Sequence, residues 1–270
     1  MNKPPKQDVV ILERKGDIAV LHLNQPERLN PLSLALQQGL RDGFAELAND
    51  RSVRALIITG AGKAFCVGAD LSAMQSTDSG KSLGEQSCDT MMSLSNRIIE
   101  DIRKLPFPVV SAVNGPCAGA GVGLALAADL VIAARSAYFF LSFMPRLGIV
   151  PDLGSTWFLE RMLGRPRAVG MAMLGDRVSA QQALDWGLIW SCVDDSALLQ
   201  EAHQLAERLS RLPAHAAMEI RRAFDSAAQH DLSTQLQYEA RRQRDLIDKP
   251  EFAEGVSAFL NKREPKFPGR

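Results

Sequence analysis

Histidine is scarce in this 270-residue chain, with only four, and charge of neither sign is in excess: 31 Lys and Arg stand against 31 Asp and Glu. A net charge of zero argues against a nucleic-acid partner held by a basic field. Long apolar runs are missing too. The longest, Val122 to Leu130, already contains Asp129 and is far too short to span a bilayer, so no membrane association is expected. The first eight residues, Met1 to Asp8, lack the apolar core of a secretory signal. Four cysteines (Cys66, Cys88, Cys117 and Cys192) show no paired spacing, which predicts neither a metal site nor a disulfide framework and fits a reducing cytoplasm. The 46% hydrophobic fraction and low aromatic content are those of an ordinary globular protein.

What is present is an ordered series of short elements. Asp8–Arg14 and Ile18–Leu23 read as a hairpin, and Asn24 to Pro31 as a turn-rich loop. Ser33 caps a helix with Leu36, Leu40, Phe44 and Leu47 on one stripe. Ala55–Thr59 is a strand leading into the loop Gly60–Asp70, and Gln75–Gln86 is a candidate lid. A helix is expected over 87–104, stopped by Pro106 and Pro108. Strands are expected at Leu130–Ala134, Tyr138–Phe143 and Leu188–Val193, with helices from about Ser155 and over 179–186. Four more helices follow over 197–211, 214–229, 232–247 and 250–262. These predict an α/β core over residues 1–200 and a C-terminal helical region over 201–270.

One stretch organises the rest. Val109–Val113 is an uncharged β-branched run, Asn114 to Gly123 a glycine-rich elbow, and Leu124 to Ala128 the body of a buried helix. Such a unit turns backbone N–H groups toward a ligand or a developing negative charge. It is not a dinucleotide fingerprint, because Leu124 stands where the third glycine belongs. Gly62-Lys63 is not a P-loop, because Ala64 replaces the Ser or Thr that holds magnesium. There is no Gly-x-Ser-x-Gly elbow, and all four histidines avoid the glycine-rich loops.

The segments Phe65-Cys66-Val67-Gly68-Ala69-Asp70-Leu71 and Asn114–Gly121 resemble the two signature loops of the enoyl-CoA hydratase/isomerase (crotonase) superfamily. Further similarity covers Asn24–Leu32, Gly148–Thr156, Leu174–Gly187 and the tail Gly255–Arg263. The runs Leu147–Asp152, Ser155–Trp157 and Asp185–Trp190 look most like the 1,2-epoxyphenylacetyl-CoA isomerase subgroup. The resemblance implies a β/α spiral core, a C-terminal helical region that assembles trimers or dimers of trimers, and an acyl-CoA substrate with no separate cofactor and no metal. It also implies an oxyanion hole made by the backbone N–H groups of Ala69 and Ala120. Ala120 replaces the usual glycine there, which leaves the donor intact if φ stays negative. Arg28, Asp70, Leu71, Gly121, Met144, Phe259 and Lys262 fall at positions the resemblance associates with substrate binding, the last two reaching a neighbouring subunit's CoA.

The two glutamates of the family's hydratases fall here on Gly123 and Met144, so hydration lacks both its base and its acid. The acid that remains is Asp152, which matches the isomerase carboxylate. Flanked by Val150, Pro151 and Leu153, it is expected to be desolvated, with its pKa raised from about 3.9. Met74, Met91, Met92 and Met144 are candidates for an adaptable acyl-pocket wall. Asp129 reads as structural, at a helix-to-strand junction. The reading is an acyl-CoA isomerase; the alternatives are an enoyl-CoA hydratase and a non-catalytic CoA- or RNA-binding homologue. Dehalogenation of 4-chlorobenzoyl-CoA ranks below these, because the long helix before Pro106 carries no histidine.

Overall fold

The computed structural model describes residues 8–74 and 80–269. Its first two strands, β1 (Val10–Lys15) and β2 (Ile18–Leu23), pair antiparallel around Gly16, whose φ is +63°. Ser33 caps α1 (Leu34–Asn49) by accepting the Leu36 N–H, and its apolar stripe is fully buried. β3 (Ala55–Gly60) follows, then α2 (Leu83–Thr90), a π-helical turn over Met91–Ser95, and α3 (Asn96–Lys104).

The elbow lies between β4 (Val109–Val113) with the short β5 (Pro116–Ala118) and α4 (Ala120–Leu126), in which every residue is buried. Next come β6 (Leu130–Ala134), β7 (Tyr138–Phe140) and α5 (Ser155–Leu174), the last broken where Gly164 takes φ +70° two residues before Pro166. β8 (Val178–Ser179), α6 (Ala180–Asp185) and β9 (Ser191–Val193) complete the α/β part. The remaining helices are α7 (Leu198–Ser210), α8 (Ala216–Ala227), α9 (Leu232–Ile247) and α10 (Pro250–Leu260).

The strands form two sheets. Six run in the order β1-β2-β3-β4-β6-β9, parallel from β2 onward, and three run β5-β7-β8. β4 and β5 are consecutive yet lie in different sheets, as do β6 and β7 and then β8 and β9, so from β4 onward each turn of the chain adds a strand to both layers. That is the expected spiral. β3 and β4 are buried at every residue, which is why they read as uninterrupted apolar runs. α7 packs along β2, β3, β4 and β6, burying Leu198, Ala202 and Ala206. No described helix is long and apolar enough to cross a membrane.

Three elements differ from expectation. Of the proposed lid, residues 75–79 lie outside the described residues, and 83–86 are already helical. Ser82 and Glu85 form a reciprocal capping box there, with Glu85 Oε2 accepting the Ser82 N–H at 2.7 Å. The strand expected at Tyr138–Phe143 stops at Phe140 and becomes a π-helical turn over Phe143–Leu147, since Pro145 has no N–H to give a sheet. The strand expected from Leu188 starts at Ser191, because the Leu188 N–H returns to the Ala183 carbonyl at the end of α6.

One part-buried ion pair ties the helical tail to the core. Arg221 on α8 donates from Nε to Asp129 Oδ1 at 2.7 Å and from Nη2 to Oδ2 at 2.6 Å. Its remaining donors reach the carbonyls of Arg103, Leu105 and Phe107. Asp129 Oδ2 also accepts the Val109 N–H at 2.8 Å. The structural reading of Asp129 therefore has a partner that sits 92 residues away.

Candidate active site

Three loops converge where the parallel strands end. The first, Gly60–Asp70, is held by Asn30, whose side chain is wholly buried. Asn30 Nδ2 donates to the carbonyls of Ala61, Ala64 and Phe65, and its Oδ1 accepts the Gln25 N–H at 2.8 Å. Asn30 itself takes φ +56°, a conformation that Asn tolerates better than most residues. The second loop is the elbow, fastened to the first by the bridge between Cys66 and Cys117. Both thiols are fully buried, and burial pushes Cys66 up to about 12, so neither is a nucleophile at neutral pH.

Gly68, just before Ala69, packs against the backbone of Ala120 across these loops. A Cβ built on Gly68 would stand 3.0 Å from the Ala120 nitrogen and 2.9 Å from the Ala118 carbonyl oxygen, so the loops are in direct contact. Ala69 forms a parallel bridge with Leu32 in which the Leu32 N–H donates to the Gly68 carbonyl. In that pattern the bonding groups come from residues 68 and 70, and the N–H of Ala69 faces away from Leu32. Ala120 is the first residue of α4, where an N–H has no intrahelical acceptor. Neither alanine is among the described residues with positive φ, so replacing glycine by Ala120 keeps the donor in ordinary helical geometry.

The third loop brings Asp152. Two cavities, of about 280 and 600 Å³, share Ala69, Ala120 and Asp152 in their linings. Asp152 Oδ1 is buried and has no hydrogen-bond partner among the described residues. Burial raises its pKa from 3.8 to about 6, the direction expected from its apolar flanks. Val150 and Pro151 line the larger cavity with Leu71, Met74, Met91 and Met92, an apolar wall of adaptable side chains. The smaller cavity is more polar. It meets Gln37, whose Nε2 donates to the Leu32 carbonyl and whose Oε1 accepts the Ser95 hydroxyl at 2.6 Å.

The other candidate residues divide. Asp70 lines the smaller cavity, and Ser72 and Arg28 lower its pKa; Arg28 Nη2 donates to Asp70 Oδ1 at 2.7 Å. Arg28 keeps about half its side chain exposed at the mouth. Gly121 is buried behind the site against the Cys66 carbonyl, so it shapes the loop and lines neither cavity. Met144 also lies outside both linings, which corrects its place in the expected wall. The π-helical turn sends Phe143 and Leu147 to the larger cavity and leaves Met144 on another side. Phe259 is 83% exposed on α10, and it and Lys262 line neither cavity of their own chain.

The sequence reading missed Asn30 as the clamp and Gln37–Ser95 as a buried polar pair. An Asn inside a turn-rich loop was the available signal for the first; no local signal marked the second. Among the described residues, no group of three or more His, Cys, Asp or Glu is placed to hold a metal.

The family model for enoyl-CoA hydratase/isomerase matches residues 13–270. The chain is 43% identical over 256 residues to the 1,2-epoxyphenylacetyl-CoA isomerase of Escherichia coli K12, covering 94% of this chain and 95% of that one. It is 39% identical over 253 residues to a probable enoyl-CoA hydratase of Rhodobacter capsulatus, with the same coverage of each. Among solved structures, the enoyl-CoA hydratase of Bacillus anthracis superposes with a TM-score of 0.87 at 33% identity, covering 97% of this chain and all of that one.

Proposed function

This chain belongs to the enoyl-CoA hydratase/isomerase family, and within it we propose an acyl-CoA isomerase that moves a proton with Asp152 and stabilises the resulting enolate with the N–H groups of Ala69 and Ala120. The observation that carries this reading is the shared lining: a carboxylate with one buried, unpartnered oxygen lines the same space as Ala69 and Ala120. The similarity to an isomerase over nearly the whole chain supports it.

The chemistry follows from charge. Taking a proton from the carbon next to a thioester carbonyl places negative charge on the carbonyl oxygen, and two fixed donors bind that oxygen more strongly in the transition state than in the ground state. A carboxylate with a pKa near 6 is a better base than an ordinary aspartate and is still ionised at neutral pH. Having taken the proton from one carbon, Asp152 returns it to another, and the double bond moves. With Gly123 and Met144 at the hydratase acid positions, the other carboxylate lining these cavities is Asp70, which is already engaged by Arg28 and Ser72. Opening of a ring epoxide to an oxepin on the same thioester scaffold is the variant suggested by the subgroup.

In the same reading, Arg28 meets the CoA phosphates at the site's mouth. The exposed apolar side chains of α8 to α10 (Phe224, Leu232, Phe259 and Leu260) are covered by self-association into trimers or dimers of trimers. Phe259 and Lys262 then reach a neighbour's CoA. Four free cysteines suit action in the cytoplasm.

The test is incubation with 3-enoyl-CoA and 2-enoyl-CoA thioesters in deuterated water. Double-bond migration with no added water is expected. Formation of 3-hydroxyacyl-CoA as the main product would overturn the isomerase reading in favour of hydration.

A further inference from the structure

We propose that Gly123 is the positioning residue that seats Asp152, and that the turn it seats occupies the place where this helix would otherwise carry an acid. The inference rests on Asp152 being the base. Asp152 opens a tight turn closed by the Ser155 N–H donating to the Asp152 carbonyl at 2.9 Å. Both central residues have positive φ, Leu153 at +46° and Gly154 at +75°, as a type I′ turn requires. A leucine in that region is strained and persists only where its surroundings hold it.

Helix α4 supplies the hold. A Cβ built on Gly123 would overlap the Leu153 carbonyl oxygen and lie 3.0 Å from the carbonyl carbon and 3.1 Å from the Leu153 Cβ. These are backbone atoms and the first side-chain atom, so nothing flexible can yield. On the other side, a Cβ at Gly154 would come within 3.0 Å of the Phe158 ring, and Leu153 itself is buried. The turn is thus gripped between α4 and α5. Gly123 stands one helical turn from Ala120, so the surface that supports the base and the amide that serves the oxyanion belong to the same rigid turn.

Two consequences follow. Any side chain at 123 pushes the Asp152 turn off α4, changing the distance between base and donor and admitting water to the carboxylate. A glutamate at 123 displaces the segment that carries Asp152, so the helix-borne acid and the turn-borne base exclude each other in this backbone. The chain therefore cannot gain hydration by restoring that acid alone.

The test uses Gly123→Ala, Gly154→Ala and, as control, Gly170→Ala, whose added methyl meets nothing within 4 Å. Each is made in the full-length enzyme and assayed with the enoyl-CoA thioester it isomerises. Gly123→Ala is expected to lower kcat by about 100-fold with KM within about threefold, as a small misplacement of a reacting group does. The acid limb of kcat/KM should fall from near 6 toward the ordinary carboxylate value. That limb reports Asp152, because the other titratable groups lining the two cavities are Asp70, paired with Arg28, and Cys88. Gly154→Ala should do the same to a smaller extent, and Gly170→Ala should change neither.

If Asp152→Asn retains turnover, the base reading fails whatever the glycine variants do. If Asp152→Asn is inactive while folded Gly123→Ala keeps the wild-type kcat and acid limb, the seating role alone is overturned. Should Gly123→Ala not fold, an unchanged Gly154→Ala overturns it instead. Hydration by Gly123→Glu alongside retained isomerisation would refute the mutual exclusion.

Discussion

Asp152 lies beside the first turn of α4 and Asp129 just beyond its last. Asp129 accepts from the Nε and Nη2 of Arg221 and from the Val109 amide, and both of its oxygens are engaged. Asp152 has one oxygen buried with no partner, on a turn that carries a leucine at positive φ. A part-buried carboxylate with both oxygens answered locks two segments together. A buried carboxylate left unanswered keeps a raised pKa and is free to take a proton. The difference lies in the partners that the fold delivers to each acid, and Asp152 lines two cavities.

The largest effect is expected from Asp152→Asn, which keeps the shape and removes the carboxylate proposed as the base. Turnover should fall by about 10³-fold or more, within the range seen for general bases, while acyl-CoA binding measured by calorimetry survives. At the other end, Arg221→Met leaves Asp129 and three carbonyls without their donor. Unfolding stability should drop by about 3–5 kcal/mol in denaturant titration, with kcat per folded enzyme little changed. Loss of kcat with unaltered stability would show that the two ends are not separable.

Ala120→Pro is sharper than any side-chain change at the donor, because it deletes the N–H at the first helical position, where proline is tolerated. A fall of about 10²–10³ in kcat is expected, with far-ultraviolet dichroism unchanged. The smallest effect is on stability. The Asp152 pKa is higher folded than unfolded, so its contribution is favourable below pH 4 and is lost as pH rises through about 6. Asp152→Asn should therefore stabilise the fold at pH 8, by up to about 3 kcal/mol, and leave it unchanged below pH 4. Thermal melts at the two pH values check this.

Much of the site was legible in the residues because backbone donors leave a local trace. Gly68-Ala69 and Gly119-Ala120 are small residues following strands, and that pattern survives without any knowledge of packing. Asp152 stood out as a lone acid between apolar neighbours. Met144 lies outside both cavity linings because the π-helical turn over Phe143–Leu147 gives Phe143 and Leu147 to the larger cavity instead. Asn30 and the Gln37–Ser95 pair left little mark, since the contacts that tie them to other segments span 31 to 58 residues of chain.

What the sequence determined by itself is therefore local: the strands and helices, the two glycine-rich loops, the absence of acids at 123 and 144, and the family. Tertiary structure alone decided which aspartate is answered and which is not. Asp129 and Asp152 look alike along the chain, each an acid bordered by apolar residues. The state of a buried carboxylate depends on donors brought from elsewhere. The fold carries Arg221 to Asp129, and at Asp152 it sets the bare backbone of Gly123 against the turn.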